Sequence, residues 1–175
     1  MSGIIGVSPD MKSGVVGKYP VGGVVQVVNR ASTTQYDWGS GTTSNGAASS
    51  TLHELHDYYI TITPKYTSSH IYLTFSFTLM MYKPGDEHHF QIERENVGAT
   101  TQLISSTGAG YNTMQELGSK WNTYWLNYTW VDTPAVADVA VKYQPFIGCS
   151  SEETDSHIRA GYQATSRSWA MEVAQ

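Results

Sequence analysis

At 175 residues and a net charge of −5, the chain is long enough for one domain with a real core and too short for two. Four Arg and six Lys against 15 acidic residues disfavour a phosphate backbone, so nucleic acid is excluded as the expected partner. The sole cysteine, Cys149, allows no internal disulfide, and no apolar run approaches the ~20 residues of a membrane span.

The first segment, residues 1–22, is "MSGIIGVSPDMKSGVVGKYPVG". Glycine, serine and proline break its apolar residues into short pieces, which is not the block of a signal peptide, so synthesis in a cytoplasm and no membrane insertion are expected. It has neither a two-residue nor a 3.6-residue period, so it predicts an extended arm (1–22) leading into a separate domain (23–175). Ile4, Ile5, Val7, Val15 and Val16 are the residues by which such an arm would anchor. The alternative is an arm folded back on its own sheet.

From residue 23 a two-residue period takes over. "GVVQVVN" (23–29) reads as a strand, and Tyr58, Ile60 and Ile62 alternate with Tyr59, Thr61 and Thr63. In "HIYLTFSFTLM" (70–80), Ile71, Leu73, Phe75, Phe77 and Leu79 share one face, giving a half-buried strand about 35 Å long. The pattern recurs at Phe90 and Ile92, in "TTQLIS" (100–105), at Tyr124, Leu126, Tyr128 and Trp130, at Val139, Val141 and Tyr143, and at Trp169, Met171 and Val173. Turn signals at Thr63-Pro64, Pro84-Gly85-Asp86, Asn96-Val97-Gly98 and Asp132-Thr133-Pro134 separate them. About eight antiparallel strands in one domain predict an all-β two-sheet sandwich of jelly-roll type.

Each antiparallel strand reverses the chain, so successive connections alternate between the two ends. Residues 31–56, 81–87, 106–121 and 149–166 then share one end, and the short turns at 64–69, 95–99 and 131–136 share the other with both termini. The elaborate end is the natural place for recognition. It holds the candidates for ligand contact: Trp38, His53, His56, His88, His89, Tyr111, Trp121 and His157.

Residues 53–57, "HELHD", pose the question of chemistry. A zinc-protease motif needs His at i and i+4 of a helix with Glu between them; here the histidines are three apart and nothing nearby is helical. His53, His56 and either His88 or His89 would make a metal site only if loops met. The same residues serve equally as a polar lead-in to the next strand or as a pH-sensitive patch. No nucleophile elbow surrounds any serine, Cys149 stands in no motif, and Gly39-Ser40-Gly41 and Gly108-Ala109-Gly110 lack the lysine of a phosphate loop. The expectation is therefore a protein without catalytic residues, metal or cofactor. Tyr59, Tyr72 and Trp125 point opposite to the core-facing residues of their strands, which predicts a subunit interface or, alternatively, a sugar-stacking platform.

The segments "SGVVGKYPVGGVVQVVN" (13–29), "ITITPKYTSSHIYLTFSF" (60–77), "TWVDTP" (129–134) and "SRSWAMEVAQ" (166–175) resemble a family of small virion structural, tail-fibre-like proteins of marine tailed bacteriophages. The likeness runs over nearly the whole chain and is loose across 81–120; His70 stands where a lysine is usual. The resemblance implies a virion component assembled in the host cytoplasm, with other virion proteins of tail or capsid as partners. Fold analogy adds a homotrimer. Three functions follow: a short tail fibre or tip touching a host surface glycan or protein, a head decoration or cement protein, and, least supported, an enzyme acting on surface polysaccharide.

Overall fold

The computed structural model describes residues 21–39, 52–82, 88–96, 99–104, 122–149 and 157–175. Among these residues eleven strands form: β1 (Val24–Ser32), β2 (Tyr36–Gly39), β3 (His53–Glu54), β4 (Ile60–Ile62), β5 (His70–Tyr82), β6 (His88–Asn96), β7 (Ala99–Ile104), β8 (Asn122–Asp132), β9 (Val141–Cys149), β10 (His157–Ala160) and β11 (Ser166–Val173). A 3-10 turn at His56–Tyr58 interrupts them once. No helix among the described residues is long and apolar enough to cross a membrane.

The eleven strands lie in eight tracks. β1 and β2 pair with β11 and β10 respectively, so each pair is one long strand with a short break. β3 and β4 both pair with β9 on either side of the 3-10 turn. Numbering tracks along the chain, one sheet runs 1-8-3-6 and the other 2-7-4-5, every pairing antiparallel. That order is the jelly roll. β2 and β10 fall inside segments that sequence patterning leaves as loops, 31–56 and 149–166. Because each continues an existing track, the alternation of ends is unchanged.

The two ends are as unequal as parity predicts. His157 lies opposite both Gly39 and Tyr82, His88 opposite Cys149, and His53 opposite Ile147, so the connections spanning 40–51, 83–87 and 150–156 leave from one end. Val24 and His70 both lie opposite Val173, and Ile62 and Asn96 both lie opposite Val141, at the other. There the chain enters beside its own C-terminus: Gly22 N–H donates to the Ala174 carbonyl at 2.7 Å, and Ala174 N–H to Gly23 at 3.0 Å.

The core fills from the alternating faces. Ile71, Leu73, Phe75, Phe77 and Leu79 of β5 are all buried and meet Phe90 and Ile92 of β6 and Tyr143 and Ile147 of β9. Each such side chain contributes about 1.5–3 kcal/mol on burial. Phe90 stacks on Tyr128 across the sheets, with ring centroids 3.6 Å apart.

β11 reverses the hydrophobic rule. Its inward residues are Ser166, Ser168, Ala170 and Glu172, all buried, while Trp169 faces out at 46% exposure. The 3-10 turn of the opposite sheet occupies the space above it: the Ser168 hydroxyl reaches the Tyr58 carbonyl at 2.5 Å. Only small side chains fit under that contact.

Two carboxyl groups fasten the end that carries the termini. Glu172, fully buried, accepts from the Ser69 hydroxyl (2.7 Å), the backbone N–H groups of Lys65 (2.7 Å) and Tyr66 (3.3 Å), and the Gln26 amide (2.6 Å). It thereby holds the turn between β4 and β5 against β1 and β11. Asp132 of one sheet takes two bonds from Arg94 Nη1 (2.9 and 3.0 Å) and one from the Tyr143 hydroxyl (2.8 Å), both from the other sheet.

Candidate functional site

The stretch "HELHD" divides its residues among structural tasks. His53 and Glu54 form β3, and Leu55 is fully buried, its carbonyl accepting from the Gln144 amide at 2.7 Å. Asp57 takes the Thr34 hydroxyl at 2.7 Å and lies 3.7 Å from the Arg30 guanidinium, whose Nε–H also donates to the Asp57 carbonyl. The Asp57 N–H donates to the Tyr36 hydroxyl, and the Tyr58 hydroxyl donates to the Thr34 carbonyl, each at 2.7 Å. The aspartate thus pins the 3-10 turn to the first track.

Trp38, expected as a ligand contact, is a core residue at 4% exposure. Its ring stacks on Tyr36 (5.4 Å, 3° between planes) and beneath His53 (4.9 Å, 16°). β2 brings Trp38 inward because 36–39 continues the first track, where alternation resumes after the break at 33–35. His53 completes the stack. Burial lowers its pKa, and its Nε2 is enclosed without a hydrogen-bond partner among the described residues. A neutral imidazole suits that place. His56 is exposed, with Nδ1 3.1 Å from Glu54 Oε1.

Among the described residues no group of three or more His, Cys, Asp or Glu side chains comes together as metal ligands would. The backbone of β6 places His88 and His89 beside Cys149 and Gly148, and β10 places His157 at the same end. Tyr111, Trp121 and the arm residues Ile4, Ile5, Val7, Val15 and Val16 lie outside the described residues.

The three aromatic interface candidates separate. Tyr59 is half-buried with two cations over its ring, the Arg30 guanidinium at 4.0 Å and the Lys142 ammonium at 5.3 Å. It joins the first track to β9 rather than standing free on a sheet surface. Tyr72 and Trp125 do lie outward, 40% and 54% exposed, on the sheet formed by β1, β11, β5 and β8.

That outer face holds residues the sequence pattern does not single out. Register aligns Val27, Met171, Tyr72 and Val131 in one row across four tracks, and Asn29, Trp169, Thr74 and Thr129 in the next. Val27 is 59% and Val131 44% exposed. A shallow depression sits among Tyr72, Thr74, Thr129, Val131 and Met171. Trp125 stands further along β8, its indole N–H on the Ser76 hydroxyl at 2.9 Å. Local pattern carries no signal for this face, because Ser168, Ala170 and Glu172 turn inward against partners far along the chain.

No protein-family model matches the chain, and no curated protein matches it. Among solved structures it is similar to the infectious bursal disease virus VP2 subviral particle, at 15% identity and a TM-score of 0.41, over 99% of this chain and 37% of that one. It is also similar to the structures of the Gx strain of the same virus (11% identity, TM-score 0.40, 85% and 32% of the chains) and of its Gt strain (12%, 0.35, 99% and 43%). The chain therefore spans well under half the length of each of these proteins.

Proposed function

We propose that this chain is a non-enzymatic structural protein of a virus particle, held by the end that carries its termini and presenting its opposite end outward. The observation that carries this is the two-ended build. β1 begins and β11 ends side by side at an end closed by short turns, whereas the connections spanning 40–51, 83–87 and 150–156 leave from the other. A rigid jelly roll with these connections gathered at one end suits attachment below and contact above. The finer assignment is a homotrimeric short tail fibre or tip protein. Its arm at residues 1–22, with Ile4, Ile5, Val7, Val15 and Val16, anchors it to other virion proteins, and its elaborate end meets a host surface glycan or protein. The resemblance of residues 13–29, 60–77, 129–134 and 166–175 to virion structural proteins of marine tailed phages favours this reading.

Antibody–gold labelling of purified particles tests it directly. Label at the tail supports the fibre assignment, and purified protein should then compete with particles for host cells. Label spread over the head replaces it with a decoration role, in which removing residues 1–20 lowers particle stability and leaves adsorption unchanged. Particles without label, from a host making the protein in quantity, overturn both.

A further inference from the structure

We infer that the outer face of the β1–β11–β5–β8 sheet is the surface on which a second copy of this chain docks. This deepens the assembly reading and relies on it only in taking the partner to be a like chain.

Four observations choose that occupant. First, the face is apolar and nearly free of charge. Val27, Tyr72, Val131, Trp169 and Trp125 are 40–59% exposed, and Arg167 is the one charged residue in the rows between Val27 and Ser76. A chain of net charge −5 that keeps acids off this face offers a charged partner only Arg167 and raises no acid-against-acid barrier to its own copy. Second, the size fits. β8 pairs along its 11 residues with β5. That length, at ~3.4 Å per residue, by four tracks ~4.8 Å apart gives on the order of 700 Å². A standard interface covers about 800 Å² per partner.

Third, the face has relief. The most exposed ring, Trp125, and the depression beside Val131 lie six residues apart on β8, about 20 Å. One chain cannot seat its own projection in its own hollow, but two copies can. Fourth, β8 is unprotected. Its sequence, NTYWLNYTWVD, carries no Lys, Arg or Pro, and its one acid, Asp132, is turned inward to Arg94. Among the described residues β8 pairs only with β5. Proteins that leave such an edge open to solvent guard it with charge, proline or a bulge. The opposite edge strand, β1, has both a bulge between Val24 and Gln26 and the Arg30 side chain.

The test is the mass of the isolated full chain in solution, by sedimentation or native mass spectrometry. At about 100 µM, above the µM-to-pM range of interfaces this size, wild-type protein should be oligomeric. Trp169→Lys and Tyr72→Lys, both at exposed positions, should weaken association at least tenfold with unchanged far-ultraviolet circular dichroism. Thr61→Lys, exposed on the other sheet, should leave it intact. Val131→Glu serves as a further face variant should either lysine variant fail to fold. A monomeric wild type overturns the inference, as does an oligomer indifferent to the face variants. A monomer that becomes oligomeric on removing residues 1–20 assigns the face to the chain's own arm instead. A monomer that binds sugars through Trp169 and Tyr72 makes it a glycan platform. None of these outcomes bears on where gold labels the particle, so the two proposals fail separately.

Discussion

Replacing Glu172 with alanine tests whether one buried acid holds the lower end of the sandwich together. The carboxyl group has no exposed surface and four donors around it. The bond from Ser69, itself 1% exposed, is fully enclosed; the other three are reached in part by solvent. An enclosed donor left without a partner costs about 1–3 kcal/mol, and each part-buried bond about 0.5–1 kcal/mol. The sum for Glu172→Ala is about 2.5–6 kcal/mol, a large share of the ~5–15 kcal/mol that holds most domains folded. In a chain of this size that lowers Tm by roughly 5–24 °C. Glu172→Gln is expected to lose less, about 1–2 kcal/mol. Oε1, which takes three of the donors, has a counterpart in glutamine; the new amide then faces the Gln26 amide, itself committed to the Thr63 carbonyl at 2.7 Å. Urea unfolding at one protein concentration measures both. A loss below about 1 kcal/mol for alanine, or equal losses for alanine and glutamine, refutes the argument.

The Asp132 bridge between sheets predicts a loss of about 3–5 kcal/mol for Asp132→Ala, and a smaller one for Asp132→Leu combined with Arg94→Met, because the uncompensated charge goes with its partner; a urea double-mutant cycle reads this out. Alkaline unfolding tests the Tyr58 contact. Burial pushes its pKa up to about 12 from 10.0, so stability is intact below about pH 10 and falls as pH rises toward 12, by about 2.7 kcal/mol at most. Tyr58→Phe should flatten part of that decline in the urea midpoint, the rest belonging to Tyr143 and Tyr36, whose values burial also raises. Gly161→Ala should cost at least ~3 kcal/mol in the same assay. Gly161 has φ +73°, and a Cβ there would run into the Tyr58 hydroxyl and lie 2.6 Å from the Thr34 carbonyl oxygen.

Where one face of a strand is buried and the other wet, the sequence reports it, and β5 is legible from its alternation alone. The same alternation shows that β11 is a strand but not which of its sides faces the core. What decides β11 is the Tyr58 carbonyl above Ser168, a partner 110 positions away. Glu172 is hidden for the same reason: Lys65, Tyr66 and Ser69 lie more than 100 positions from it. Trp38 looks like a loop aromatic because β2 is four residues long, too short for a period to register. Long-range pairing is what local pattern cannot carry, and every misassigned residue depends on it.

The residues of "HELHD" are tied into the fold in the same way. Two histidines, a glutamate and an aspartate read as a site only while their partners are unknown. Asp57 is committed to Arg30 and Thr34, His53 to the Trp38 stack and Glu54 to His56, each at hydrogen-bonding, ion-pair or stacking distance. These contacts lie where the first and second tracks of the two sheets meet, Arg30 standing opposite Ser168, four residues along β11 from Glu172. Among the described residues these polar groups seal the sandwich, while Val27, Tyr72, Trp125, Val131 and Trp169 stand outside on one sheet. A fold that turns Glu172 and Asp132 inward and leaves Trp125 and Trp169 half-exposed has the outer face that the proposed second copy would cover. The surface it leaves open is therefore the stronger guide to what it does.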